Sequence, residues 1–172
     1  MKKAPIGSGL DCYIAKALEL GAQGAKVIDA ASIVTAAWVR LKCQLGCDGY
    51  NEGLCCPPHT PKPEETQAVI DCYCRALLIR FPKLGRPSSV IVELERDIFL
   101  AGFYKAFGFG AGPCRLCRKC HLDACPHRDK ARPSMEACGI DVYATARANG
   151  FPIEVVRDRS CAQNYYGLIL ID

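Results

Sequence analysis

The run Gly112-Pro-Cys114-Arg-Leu-Cys117-Arg-Lys-Cys120-His-Leu-Asp-Ala-Cys125-Pro126 puts four thiols within twelve residues, the first three at a constant spacing of three. A Cys-x2-Cys-x2-Cys spacing turns successive side chains toward one compact object with several coordination points, and a Cys-Pro closes the run. The rest of the chain reads as built around what those thiols hold. Thiolates select soft or borderline centres, which are iron-sulfur clusters, Zn²⁺ or Cu(I). One Zn²⁺ would be saturated by four sulfurs.

Outside that run the composition allows an ordinary core. A chain of 172 residues with half of them apolar fits a single domain over 1–172 and needs no disulfide staples for its size. Its 13 cysteines are an odd number, which disfavours a fully paired secreted framework. Met1 to Leu10 carries two lysines and no apolar stretch of signal-peptide length, and no segment approaches a membrane span. A cytoplasmic setting is expected, where dense cysteine points to metal or thiol chemistry rather than to disulfides. The formal charge is +4. Between Cys114 and Arg132, six cations (Arg115, Arg118, Lys119, Arg128, Lys130, Arg132) face only Asp123 and Asp129. Thiolate-ligated centres carry net negative charge, which these cations offset. A nucleic-acid footprint is the other reading, but no aromatic residue is interleaved for base stacking.

A second cysteine group precedes the first in the chain: Cys43-Gln-Leu-Gly-Cys47-Asp-Gly-Tyr-Asn-Glu-Gly-Leu-Cys55-Cys56-Pro57-Pro58. Its glycines make 46–53 a loop, so Cys43, Cys47 and one of the vicinal pair can face one point. The residue before a proline is held extended. Cys56 is therefore the expected third ligand, with Cys55 a neighbouring thiol.

The intervening segments alternate helix and strand. Helices are expected over 11–20 with Asp11 as cap, 32–42, 63–75 with Pro63 in the first turn, 88–105, short turns over 133–139, and 141–148 capped by Asp141. Strands are expected over 25–29, 76–81, 153–157 and 167–171, and over 106–112, where Gly108, Gly110 and Gly112 share one side. A bare glycine face permits close approach of a helix, a sheet or a cofactor. The expected fold is α/β, with about five short strands, flanking helices and two cysteine-rich metal-binding loops. Cys12, Cys72 and Cys74 read as core packing. Cys138 reads equally as a further ligand or as a buried thiol, and Cys161 has no partner.

The cysteine run resembles the cluster-binding run of bacterial ferredoxins, in which the last Cys precedes a Pro and, in two-cluster proteins, ligates the other cluster; here the final gap is four residues instead of three. The chain is also similar, over nearly its full length, to a family of small prokaryotic cysteine-rich proteins predicted to bind metal. Its likeness is carried by Cys43-x3-Cys47, Cys56-Pro57-Pro58, Ala101-Gly-Phe-Tyr-Lys-Ala106, Gly110-Ala-Gly-Pro-Cys114, the Cys-x2 repeat, Arg132-Pro-Ser-Met-Glu-Ala137 and Gly139-Ile-Asp-Val142. That family implies metal binding and no particular reaction.

Three cysteines at repeated Cys-x2 spacing with a distant fourth suit a cubane, so iron-sulfur, as one or two four-iron clusters, is preferred to zinc. Seven thiols form the expected ligand set: Cys43, Cys47, Cys56, Cys114, Cys117, Cys120 and Cys125. Seven do not divide into two sets of four. Either Cys55 or Cys138 supplies an eighth, or one cluster keeps an open iron that acts as a Lewis acid in an enzyme. Full ligation indicates electron transfer with a redox partner protein. An exchange of the ferredoxin kind would send Cys125 to the site begun by Cys43. A structural zinc protein acting as an adaptor or nucleic-acid binder is the alternative. His59, His121 and His127 are expected as ordinary histidines, and Glu136, Asp141 and Arg132 as caps or charge neighbours.

Overall fold

The computed structural model describes residues 9–82, 87–158 and 160–172. Most of the N-terminal stretch read above for a leader, residues 1–8, lies outside them. Four strands, β1 (Gly24–Asp29), β2 (Arg75–Phe81), β3 (Phe107–Phe109) and β4 (Tyr165–Leu170), form one sheet in the order β1-β2-β4-β3. All its pairings are antiparallel, with Val27 opposite Leu77, Leu78 opposite Leu168 and Phe109 opposite Leu168. The helices are α1 (Asp11–Glu19), α2 (Ala37–Gly46), α3 (Pro63–Ile70), α4 (Pro87–Leu100) and α5 (Val142–Ala148).

Because side chains alternate across a strand, the apolar runs of β2 and β4 supply both faces. Leu77, Ile79 and Ile169 pack with Val27 beneath α1 and α4, against Ala17, Ile91, Leu94 and Ile98. Ala76, Leu78, Leu168 and Leu170 pack on the other face against Ile70, Met135, Ile140 and Ala146. The result is three layers, helix on sheet on helix. Each fully buried Leu or Ile contributes about 1.5–3 kcal/mol by leaving water.

The expected α/β class holds, but the strand count is four among the described residues. Residues 153–157 form no strand: Val155 and Val156 are exposed, and no neighbouring strand takes up their backbone. Residues 106–112 contribute only Phe107–Phe109. Helix boundaries moved as well. Asp29 accepts a hydrogen bond from Ala31 N and starts a 3-10 turn, Ala30–Ser32, so α2 begins at Ala37. Helix α3 ends at Ile70, which leaves Cys72 and Cys74 exposed in the turn to β2 rather than in the core. Cys12 is exposed too.

The glycine face of 106–112 is answered by a helix. A Cβ at Gly108 would sit 2.4 Å from Ile91 Cγ2, and one at Gly110 would sit 2.4 Å from Ser88 Oγ. Glycine there lets α4 lie directly on the edge strand. Glu95 of α4 uses that closeness, accepting from Gly108 N at 2.9 Å.

The second cysteine segment is a loop held at its neck, whereas the first begins inside α2 with Cys43. Gly110 N donates to Pro133 O at 2.8 Å and Met135 N to Gly110 O at 3.3 Å, which closes the span 111–132. Just inside the neck, Arg132 grips Glu95 in a two-pronged ion pair, Nε–Oε2 at 2.7 Å and Nη2–Oε1 at 2.6 Å. Arg132 also lies over the Phe107 ring, 5.4 Å from its centroid.

Candidate metal centre

The two loops are joined by the backbone carbonyls of a 3-10 turn, Glu136–Cys138. Arg40 of α2 donates to Ala137 O at 2.7 Å and to Thr60 Oγ1 at 2.9 Å, while Thr60 Oγ1 itself donates to Ala137 O. Thr66 of α3 donates to Cys138 O at 2.7 Å. The helix carrying Cys43 and the far end of the first cysteine loop thus dock on the turn that follows the second. Sequence-distant thiols are brought to one side of the sheet by these bonds.

Cys43 lies in the last turns of α2 and Cys47 just after its end. The Cys43 sulfur is 4.0 Å from Glu136 O. Cys55, Cys56, Cys114, Cys117, Cys120 and Cys125 all line one cavity of about 240 Å³. Cys43 and Cys47 line a neighbouring cavity of about 590 Å³ with Trp38 and Tyr143. Backbone donors reach several sulfurs: Gly49 N to Cys47 at 3.4 Å, Leu54 N to Cys120 at 3.5 Å and His127 N to Cys125 at 3.4 Å. Such N–H groups stabilise thiolate charge. Arg118 and Lys119 lie on the wall of the six-cysteine cavity, and Arg115, Lys130 and Arg132 line a further cavity of about 380 Å³ that shares Cys114 with it. The cations of the run are therefore placed beside the sulfurs.

Burial pushes the Cys55 thiol up to about 12, helped by its hydrogen bond to Cys114 and by the charges of Cys114, Cys125 and Cys56. Burial also raises Cys56 and Cys43, with Cys47 the next cause in each. Thiols crowded in this way keep their protons unless a cation replaces them. Among the described residues no three Cys, His, Asp or Glu side chains are drawn together tightly enough to cage a single ion.

All seven expected ligands fall in these two adjoining cavities or beside them. Cys55 shares the cavity with Cys56. Cys138 is different: it is fully buried in the core among Met135, Ile140 and Ile70, and burial pushes its thiol up to about 12. Cys161 is held at Asp158, 3.6 Å away. His59 bonds Asn51 at 3.0 Å, as an ordinary surface histidine does, whereas His121 and His127 stand on the wall of the six-cysteine cavity. Asp141 caps α5 as expected, accepting from Ala144 N at 2.9 Å. Arg132 is more than a charge neighbour, since it carries the neck ion pair.

A family model described as Predicted metal-binding protein (DUF2284) matches residues 26–171, a span that includes both cysteine loops. The chain belongs to this family. The family is described as predicted metal-binding, and the cysteine-lined cavities of this DUF2284 protein lie within the matched span. No curated protein and no solved structure matches the chain. No described helix is long and apolar enough to cross a membrane.

Proposed function

We propose that this DUF2284 protein binds iron-sulfur clusters of the four-iron type through its two cysteine loops and serves in electron transfer with a redox partner protein. The observation that carries this reading is the six-thiol cavity, which takes its walls from both segments and encloses about 240 Å³. A zinc site takes four donors at about 2.0–2.3 Å from one ion, and the six thiols on one cavity exceed that number. A polynuclear centre with several metal ions needs sulfurs spread around a volume. Cys55 on the cavity wall brings the thiol count to eight, which favours full ligation over an open iron used as a Lewis acid. The cations Arg118 and Lys119 lower the cost of a negatively charged centre and would hold its potential up. Thirteen free thiols suit a reducing compartment such as the cytoplasm.

The test is anaerobic purification followed by iron, sulfide and zinc analysis. Brown protein with iron and sulfide in equal amounts, bleached by dithionite, is the expected result. Colourless protein with zinc in simple proportion to chain would overturn the reading in favour of a structural zinc protein.

A further inference from the structure

The cavity of about 380 Å³ lies between the start of α4 and the second cysteine loop. It adjoins the six-cysteine cavity and shares Pro113, Cys114 and Leu116 with it. Its volume falls in the range of about 300–1,000 Å³ common to small-molecule sites. Much of the wall is apolar, with Val92 of α4 facing Ala111, Pro113 and Leu116 of the loop. The charged groups on it have a single sign. Arg115, Lys130 and Arg132 line the cavity, no Asp or Glu does, and Cys114 is the only acidic group on the wall.

The three cations are not equivalent. Arg132 is committed to Glu95 through two hydrogen bonds, at 2.7 and 2.6 Å. Arg115 and Lys130 take part in no ion pair among the described residues. Two cations are therefore left facing one apolar hollow with no protein anion opposite them. A phosphate monoester answers both features. It carries about −1.5 to −2 charge near neutral pH and three strong acceptor oxygens. A guanidinium engages two such oxygens as a fork and an ammonium meets the third as a point charge. Ser88 adds a hydroxyl on the same wall. The carbon body of the ester is then left to the apolar side, which a bare phosphate ion would not use.

We infer that this cavity binds a small phosphate monoester, with its phosphate on Arg115 and Lys130 and its apolar body against Val92 and Leu116. Because Cys114 lines both cavities, the bound ester stands against one wall of the candidate metal centre. The inference does not depend on which metal that centre holds.

The test titrates the protein as purified, with its metal in place, by calorimetry. Phenyl phosphate is the probe, inorganic phosphate stands for its head alone and benzyl alcohol for its body alone. Phenyl phosphate should bind, and each fragment should bind about tenfold more weakly or worse. R115Q/K130Q should weaken phenyl phosphate about tenfold or more. R118Q/K119Q removes the same charge from the neighbouring six-cysteine cavity and should change the affinity by about twofold at most, since water and salt screen exposed charges that do not touch the ligand. V92F fills the apolar side and should weaken phenyl phosphate while sparing inorganic phosphate.

The inference is overturned if phenyl phosphate does not bind, or if either fragment binds as tightly as the whole probe. It is overturned equally if the two double variants lose the same affinity, because the general positive field of the loop would then be the cause. Chemical acetylation of the unaltered chain guards against variants that fail to fold. Phenyl phosphate should protect Lys130 and leave Lys119 reactive, whereas equal protection of the two lysines contradicts the assignment.

Discussion

Gly139 and Gly150 adopt nearly the same left-handed backbone, φ 78° and 76°, in different surroundings. A Cβ at Gly150 meets nothing within 4 Å, whereas one at Gly139 would lie 2.5 Å from Pro63 Cγ and 3.1 Å from Pro63 Cα. Gly150→Ala should therefore cost about 1–2 kcal/mol, the conformational term alone. Gly139→Ala should cost that plus overpacking of about 1–3 kcal/mol, seen as a larger fall in thermal midpoint than Gly150→Ala gives. Equal falls would mean that α3 does not press on the 3-10 turn. The Glu95–Arg132 pair makes a second case. The two side chains are only 11% and 14% exposed, so Glu95→Ala leaves a buried guanidinium without its partner and should cost about 3–5 kcal/mol. That pair was not legible in the sequence because its members are 37 residues apart and nothing local links them. The placing of Cys55 beside Cys114 on one cavity wall was hidden for a related reason: argument from Pro57 bears on Cys56 alone and says nothing about which distant thiols its neighbour meets.

At the scale of elements, legibility followed burial on both sides. The run 76–81 reads as a strand because every residue but Arg80 is buried and Pro82 ends it. Residues 153–157 offer a similar mixture of apolar and charged side chains yet have no partner strand, and pairing is a long-range fact that composition cannot supply. The glycine face of β3 was legible as a place of close approach, although whether a helix or a cofactor fills it depends on where α4 packs. That packing makes a sharp prediction about Ile91. A Cβ at Gly167 would meet Ile91 Cδ1 at 2.7 Å and Cγ1 at 2.9 Å, whereas one at Gly108 meets Ile91 Cγ2 at 2.4 Å. Ile91→Val removes Cδ1 and keeps both γ carbons. In double-mutant cycles it should relieve Gly167→Ala by about 0.5 kcal/mol or more and leave Gly108→Ala unrelieved. Equal coupling at the two glycines would show that α4 shifts as a body instead of clashing locally.

For the molecule as a whole, the metal-binding class could be read from spacing, because ligand chemistry is local; which sulfurs line a common cavity could not, because that is set by two distant segments meeting. The same separation decides what metal does for stability. Both hydrophobic clusters are assembled mainly from the sheet, its helices and the segment 135–140, and of the cysteines only Cys138 is among their buried residues. The span 111–131 contains no helix or strand and is secured at its neck and by Arg132. Removing metal should therefore release the loops and spare the layers, unlike a zinc finger, which unfolds outright without its ion. Far-UV circular dichroism of chelator-stripped protein should stay close to that of the loaded form. Trypsin should cut after Arg115, Arg118 or Lys119 about tenfold faster or more once metal is gone, since a loop freed of its ligands opens at little free-energy cost. If the dichroism collapses together with the metal, the centres form part of the folding core. The buried layers of this sheet would then be insufficient by themselves, and the sulfurs would have to be counted among the contacts that hold β2 and β4 in place.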